Sequence, residues 1–481
     1  MKIIQSISKK KILLILMWIG VFGSINTNVL HVSVLLDNKI NFSNIINFTR
    51  SIYPLMLILV FIFFALAKYK KIKILKKTNI VLLFYLFFLL FQLVGFLNIS
   101  NTEQNIENLY FHMSAFSVLL FLMIVNFYNN EIKIYYLFLS LLLFFVSLIL
   151  IFMVIKLAPE YWENLQATNF YKLFSVSFHS NFFGTPAPRI TGLSRIAILL
   201  MIIFLVQSLY SNKNRFYFFG VAILGSFIWL AQSRGAYYSL LIVITSLLFL
   251  AKKISLSRKL QVLALAVVVP LIFSQSLFLL KNYSNNYDAI FTSMSDSQLK
   301  KEFERCQKKG CDAIYLKKLF DWTVKNNDQK NIAEEQHRIV VNMSGSGRFN
   351  DWKKIGSVIK TRLPESLLGF GPQADRMLIK ETASNSYLSA LLTGGVLGLI
   401  SLMCLVFLNL YNSFYLIFKS KIFCDENCNY LKITIIINLF FILRGVYESS
   451  FSVYGLDFLF FIISSTIINH EKEKISKKAY Q

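Results

Sequence analysis

The chain has 481 residues, of which 56% are hydrophobic and only 16% are charged, and its formal net charge is +25. The apolar residues come in runs of roughly 16 to 24, about the length that a helix needs to cross a bilayer. A soluble helix alternates apolar and polar faces, whereas a membrane span is apolar all round and satisfies its backbone hydrogen bonds internally. The length of the apolar runs therefore argues against a soluble globular protein and predicts an all-α, polytopic integral membrane protein.

About twelve apolar segments are predicted to cross the membrane as helices. The first follows three lysines and lacks a small-residue cleavage site, so we expect it to stay as a span and not to be removed as a signal peptide. The predicted spans are residues 12–30, 52–67, 79–97, 109–127, 134–157, 193–210, 216–231, 236–251, 260–280, 387–418, 430–446 and 451–468.

The connections between these segments differ in charge. Lysine and arginine crowd residues 68–77, 252–259 and 470–478, whereas residues 98–108 contain neither. Basic residues in short loops stay on the cytoplasmic side, so both termini are predicted to be cytoplasmic. The positive charge is thus a topology signal. It does not indicate a nucleic-acid partner, because nucleic-acid binding needs basic residues on one folded face.

Two segments on the outer side are too long and too polar to be simple connections. Residues 158–192 join the fifth and sixth spans, and residues 281–384 form a large extracytoplasmic loop between helices 9 and 10. Loops of this length in a compact protein are usually functional. Amphipathic helices are predicted around residues 298–320 and 347–363. The chain divides into residues 1–280 with nine spans, the loop 281–384, and residues 385–481 with three spans and a cytoplasmic tail.

Arginines recur at the predicted outer face, where short loops otherwise avoid basic residues. The planar guanidinium fork suits bidentate recognition of a phosphate or a carboxylate. Each arginine could instead extend to lipid headgroups or pair with a single carboxylate, and both interpretations stay open. These residues are Arg189, Arg195, Arg234, Arg348, Arg376 and Arg444.

Five motifs follow one another from residue 188 onward. They are PRITGLSR (188–195), QSRGAYYSLL (232–241), SGSGRFNDW (344–352), LPESLLGFGP (363–372) and ASNSYLSALLTGGVLGLI (383–400). In this order they resemble the O-antigen ligase/polymerase superfamily. Its pattern runs R-x-T-G, S-R-G, S-G-R-x-x-x-W, P-x-x-G-x-G and then H-N-x-x-L before a glycine-rich helix. The first five predicted spans carry no such motif.

The resemblance implies a glycosyltransferase of the bacterial inner membrane that works at the outer face. Its donor would be an oligosaccharide linked to undecaprenyl diphosphate, with membrane lipids as further partners, and such enzymes often work with a chain-length regulator. Outer arginines would stabilise the negative charge that develops on the departing lipid diphosphate. We expect no metal or other cofactor, because the five histidines lack pairwise ligand spacing.

The motif positions assign roles to individual residues. Arg234 and Arg348 are predicted to be catalytic, and the base that orients or deprotonates the acceptor hydroxyl would be Glu381, Glu448 or Asp351. The predicted substrate-binding residues are Arg189, Arg195, Arg376, Asn385, Tyr387, Arg444 and Trp352. Trp352 and Tyr387 could stack on sugar rings or equally anchor the fold. The glycines of the last two motifs are predicted to serve turns and close helix packing.

One departure from the family pattern separates the possible reactions. The histidine position of H-N-x-x-L holds Ser384. That histidine is a hallmark of the ligases that attach polymer to lipid A-core, so its absence favours a polymerase that joins repeat units. An O-antigen ligase and a protein O-oligosaccharyltransferase with the same donor stay open. A lipid-linked oligosaccharide flippase also fits twelve spans, although the two halves show no convincing repeat.

Overall fold

The computed structural model describes residues 79–98, isolated positions between 112 and 151, and residues 181–182, 185–186, 190–211, 215–230, 234–273, 276, 348–372, 374–379, 383, 385–419, 422–424, 428–448, 451 and 456–479. The predicted spans 12–30 and 52–67 and the predicted helix around 298–320 lie outside these ranges. Single helical positions are described within 109–127 and 134–157.

The described residues are overwhelmingly helical. One short antiparallel pair joins Asn181–Phe182 (β1) to Thr185–Pro186 (β2). The helices are α1 (Ile80–Val94), α2 (Ile190–Tyr210), α3 (Arg215–Leu230), α4 (Arg234–Leu250), α5 (Leu256–Leu263), α6 (Arg348–Thr361), α7 (Leu363–Leu368), α8 (Ala374–Leu378), α9 (Ser386–Phe414), α10 (Asn429–Tyr447) and α11 (Leu456–Ala479). A π-helical turn extends α5 and another extends α9, and a 3-10 turn extends α1.

Three described helical segments are long and apolar enough to cross a membrane: Leu256–Phe273, Ser386–Lys419 and Asn429–Tyr447. Shorter apolar helices cover Ile80–Val94, Ser194–Tyr210, Arg215–Trp229 and Tyr238–Leu250. All of these coincide with predicted spans. The described residues are therefore predominantly helical and include three helices long and apolar enough to cross a membrane, as the sequence predicts, whereas the number twelve stays a prediction.

The last helix differs from its prediction at both ends. The predicted span covers residues 451–468, but α11 begins at Leu456 and continues to Ala479. Its last turns contain the segment HEKEKISKK (470–478), which is predicted from the sequence to be a cytoplasmic tail. Glu and Lys are good helix formers and stabilise one another at i,i+4 spacing, so the polar tail continues the helix beyond its apolar part.

Polar contacts between helix ends fix the relative directions of α1, α9 and α11. The amide of Asn469, late in α11, donates to the side chain of Asn79 before α1 (3.1 Å), and the amide of Asn412, late in α9, donates to Asn469 (3.0 Å). The other end of α1 reaches Thr393, early in α9. Helix α1 is therefore antiparallel to α9 and α11, in agreement with the alternation that the sequence predicts for these spans.

The opposite end of this bundle is the one at which α2, α9 and α11 begin and α10 ends. We call it the arginine end, because Arg195 in α2 and Arg444 in α10 both lie there. Short connections, residues 211–214 and 231–233, join α2 to α3 and α3 to α4, and these helices pack side by side. Such neighbours run antiparallel, so α4, which begins at Arg234, also begins at the arginine end.

Helix α9 is broken one third of the way along, at Gly395. Its φ of 64° and ψ of −161° are essentially restricted to glycine. The break takes the carbonyls of Leu392 and Thr393 out of the helix, and they accept hydrogen bonds from the backbone N–H groups of Phe370 (2.9 Å) and Gly371 (2.8 Å). The motif LLGFGP (367–372) is therefore docked by its backbone into the broken helix.

The docked segment carries a small second core. Phe370 is buried together with Ala374 and Leu392, and side chains of α6 and α8 pack around them. The carboxamide of Asn98, which follows α1, donates to the carbonyl of Gly369 (2.8 Å) and to that of Glu365 (3.0 Å). Helices α6 to α8 thus form a cap fixed to α1 and α9. The amphipathic helix predicted around residues 347–363 is confirmed as α6.

Candidate functional site

Two arginines and two carboxylates from three helices meet at the arginine end. Nη1 of Arg195 lies 2.8 Å from Oδ2 of Asp457, and Nε of Arg444 lies 3.8 Å from the same oxygen. Nη2 of Arg444 also lies 3.3 Å from Oε2 of Glu448, one helical turn further along. Asp457 therefore stands between two guanidinium groups, and the four formal charges cancel. We call these four residues the charge cluster.

The members of the charge cluster differ in exposure. The side chains of Asp457 and Arg444 are 5% and 6% exposed, whereas those of Arg195 and Glu448 are 25% and 26% exposed. Removing one partner of a buried ion pair typically costs about 3–5 kcal/mol, because the other charge is left uncompensated. Asp457 and Arg444 thus form the buried base of the cluster, and Arg195 and Glu448 form its accessible edge.

Arg195 retains hydrogen-bonding capacity that the described residues do not use. Its Nε is buried, and within the described ranges it has no hydrogen-bond partner. A buried donor without a partner in a native fold calls for a specific explanation, such as a bound ligand or ion. The side chain of Arg195 is therefore partly exposed as a whole, while its Nε is buried and has no hydrogen-bond partner among the described residues.

Asn385 and Ser386, at the start of α9, bond the end of α10, where Glu448 of the charge cluster lies. Asn385 caps α9 by accepting from the N–H groups of Tyr387 (2.8 Å) and Leu388 (3.0 Å), and its amide donates to the carbonyl of Val446 (3.0 Å). The hydroxyl of Ser386 donates to the carbonyl of Glu448 (2.8 Å) and accepts from the N–H of Phe451 (3.0 Å). The end of α10 is thereby fixed against α9.

Tyr387 and Trp352 take positions that suit packing. The ring of Tyr387 meets Phe451 edge-on at 6.1 Å, and its hydroxyl lies 3.5 Å from the carbonyl oxygen of Ile442. Trp352 is half-buried on α6 in the cap. The anchoring interpretation of Tyr387 is the one that these contacts favour, and sugar stacking by either residue stays a prediction.

The remaining predicted site residues are placed only in part. Arg234 and Arg348 are the first residues of α4 and α6, and Arg376 lies within α8. Arg189, Glu381 and Ser384 lie outside the described residues. The structure thus brings Arg195, Arg444 and Glu448 together, with Asn385 nearby, and places the start of α4 at the same end of the bundle.

The glycine motifs have the structural role predicted for them. A Cβ at Gly395 would lie 2.2 Å from the carbonyl oxygen of Leu367, and one at Gly369 would lie 2.4 Å from the backbone nitrogen of Gly395. Backbones this close leave no room for a side chain. Docking of the LLGFGP segment therefore explains these glycines without a ligand.

Asp457 is the principal residue that the sequence analysis missed. It is the only acidic residue between Glu448 and Glu471, and it comes directly before the apolar run FLFFII. Ionisable residues at the edge of a span are functional candidates by default, so this signal was present in the sequence. The sequence does not show that Asp457 pairs with Arg195, because the two residues are 262 positions apart.

The fold and the charge cluster together define a helical membrane protein with an ion-paired polar site where several helices begin or end. Comparison with protein-family models, with curated proteins and with solved structures gives no match. Among the described residues, no group of three His, Cys, Asp or Glu side chains comes together as a metal site would require.

Proposed function

We propose that the chain is a membrane glycosyltransferase that polymerises surface polysaccharide. It would span the bacterial inner membrane about twelve times, with both termini in the cytoplasm and the arginine end at the outer face. Its substrates would be oligosaccharide repeat units linked to undecaprenyl diphosphate. The observation that supports this proposal is the partly exposed Arg195, paired with Asp457 at the end of the bundle where the helices that begin at Arg234 and Ser386 also start.

The donor diphosphate would bind at the accessible edge of the charge cluster. Arg195 would offer a guanidinium fork to the phosphate oxygens, and α4, which begins at Arg234, starts at the same end of the bundle. Fixed cationic donors lower the barrier because they stabilise the charge that develops on the leaving group. Arg444 is held by two carboxylates and would act on the diphosphate through Asp457 and not by direct contact.

The reaction balances without an added reactant. A hydroxyl oxygen of the acceptor repeat unit attacks the anomeric carbon of the donor, the bond from that carbon to the phosphate oxygen breaks, and lipid diphosphate leaves. The hydroxyl proton passes to a carboxylate base. Glu448, a quarter exposed and oriented by Arg444, is the described candidate for this role.

The break in α9 bears on the transporter alternative. Secondary transporters use discontinuous helices near the bilayer midplane to coordinate substrate or ions. Here the carbonyls freed by the break accept hydrogen bonds from the chain's own Phe370 and Gly371. A break filled by the protein's own backbone suits a fixed cap better than a transport site.

Purified protein with lipid-linked repeat units tests the proposal. A polymerase yields lipid-linked chains of increasing length and releases lipid diphosphate. A protein O-oligosaccharyltransferase yields glycoprotein only when a serine-bearing acceptor is supplied, and a ligase yields glycan on lipid A-core. Movement of intact donor across vesicles without any new glycosidic bond would support the flippase and refute the enzyme.

A further inference from the structure

Asp457 occupies the position where two guanidinium groups converge. It accepts from Arg195 at 2.8 Å while Arg444 approaches the same oxygen at 3.8 Å. Two like charges this close repel unless a carboxylate lies between them. Without Asp457, the partly exposed Arg195 would extend toward water or lipid headgroups, as long basic side chains do when nothing holds them.

The position of Asp457 is itself fixed by the fold. Arg444 and Asp457 are both nearly inaccessible to solvent, and Arg444 is further held by Glu448. From the side of α9, Asn385 bonds the backbone of Val446, and Ser386 bonds the backbone of Glu448 and Phe451. A rigid chain of contacts therefore runs from α9 through α10 and α11 to the guanidinium of Arg195 in α2.

We propose that Asp457 is a positioning residue that sets how Arg195 engages the donor diphosphate. This inference rests on the proposed function. The carboxylate holds the guanidinium at one place and orientation, which makes transfer fast. It also subtracts one positive charge next to the bound diphosphate, which keeps the donor and the released lipid diphosphate from binding too tightly.

The two effects of Asp457 act on different kinetic constants. Replacing Asp457 with Asn keeps the size and an acceptor oxygen but removes the charge. We expect kcat to fall by about 100-fold, because a shift of about 1 Å in a group that orients the reactants can slow the reaction by that factor. We expect KM for the donor to fall by about tenfold, because the site becomes more positive. A residue with a purely structural role would reduce the amount of folded protein and leave both constants of the folded fraction unchanged.

The test measures chain elongation by wild type, Asp457→Asn and Asp457→Glu with purified lipid-linked repeat units, per mole of monodisperse protein. Asp457→Glu keeps the charge but is longer, so it should lower kcat and leave KM near the wild-type value. Glu473→Gln is the matched control, because Glu473 lies on the same helix and bonds Asn469 at the opposite end. It should change neither constant.

Three results would overturn the inference, and they can be distinguished from one another. If wild type elongates and Arg195→Ala does not, but both Asp457 variants match wild type in kcat and KM, Asp457 has no positioning role and the proposed function stands. If wild type joins no repeat units, the proposed function fails and the positioning role fails with it. Should Asp457→Asn not fold, an Asp457→Glu variant with wild-type kcat refutes the inference alone.

Discussion

Replacing Gly395 with alanine tests how the cap is attached to the membrane bundle. The added Cβ would lie 2.2 Å from the carbonyl oxygen of Leu367 and 2.6 Å from its carbonyl carbon, and both are backbone atoms that cannot turn aside. Alanine must also adopt a φ of 64° with a ψ of −161°, a conformation whose strain is about 1–3 kcal/mol. Overpacking typically adds about 1–3 kcal/mol.

Together these effects should destabilise docking by about 2–6 kcal/mol, a large part of the free energy of unfolding of an ordinary domain. The cap should therefore detach before the bundle unfolds. Limited proteolysis in detergent should cut Gly395→Ala within residues 348–378 at a concentration of protease that leaves wild type intact, and the melting temperature should fall.

Gly356 provides the matched control for this substitution. It lies within α6, and a Cβ there would meet nothing within 4 Å. Alanine in a helix interior is more favourable than glycine by about 0.5–1 kcal/mol, so Gly356→Ala should be neutral or slightly stabilising. Equal resistance to protease of Gly395→Ala and Gly356→Ala would refute the docked arrangement of the LLGFGP segment.

Three further predictions concern the attachment of the cap, the arginines and the topology. Asn98→Ala removes two hydrogen bonds to the docked loop, so it should weaken cap attachment by about 1–3 kcal/mol and give a milder version of the same proteolysis pattern. Arg234→Ala should abolish elongation without lowering expression, and Arg234→Lys should have low activity because lysine lacks the bidentate fork. Arg215 is exposed, and Arg215→Ala should stay active as the control. Full activity of both Arg234 variants would remove this residue from the site. In a variant without other cysteines, an impermeant maleimide on spheroplasts should label Lys325→Cys and not Lys73→Cys, and the reverse pattern would place the arginine end on the cytoplasmic side.

The sequence predicts most of the helices because the signal for a span is local. Apolar runs of sufficient length mark α3 and α10 within a few residues, and positive-φ glycines in LLGFGP and LLTGGV mark places where helices stop or break. The length of α11 was harder to predict, because hydropathy marks the edge of the hydrocarbon layer and not the end of the helix. Helix propensity continues where hydropathy stops.

The arginines of the charge cluster could be predicted from the sequence, but their pairing with carboxylates could not. Arginines at a predicted outer face stand out against the charge bias of short loops, so Arg195 and Arg444 could be identified from the sequence. Which carboxylate pairs with which arginine depends on how α2, α10 and α11 pack, and no local pattern contains that information. Arg195 pairs with a single carboxylate, Asp457, as one of the open interpretations expects, whereas Arg444 lies near both Asp457 and Glu448.

The surface glycan of a deletion strain tests the central claim most directly. If the chain joins repeat units, its deletion should leave surface lipid or core that carries a single repeat unit, because a separate ligase still transfers that unit. Complementation with wild type, but not with Arg195→Ala, should restore the ladder of longer chains. Core with no repeat at all, together with accumulated lipid-linked polymer, would contradict polymerisation and indicate a ligase. An undisturbed ladder in the deletion strain would contradict both.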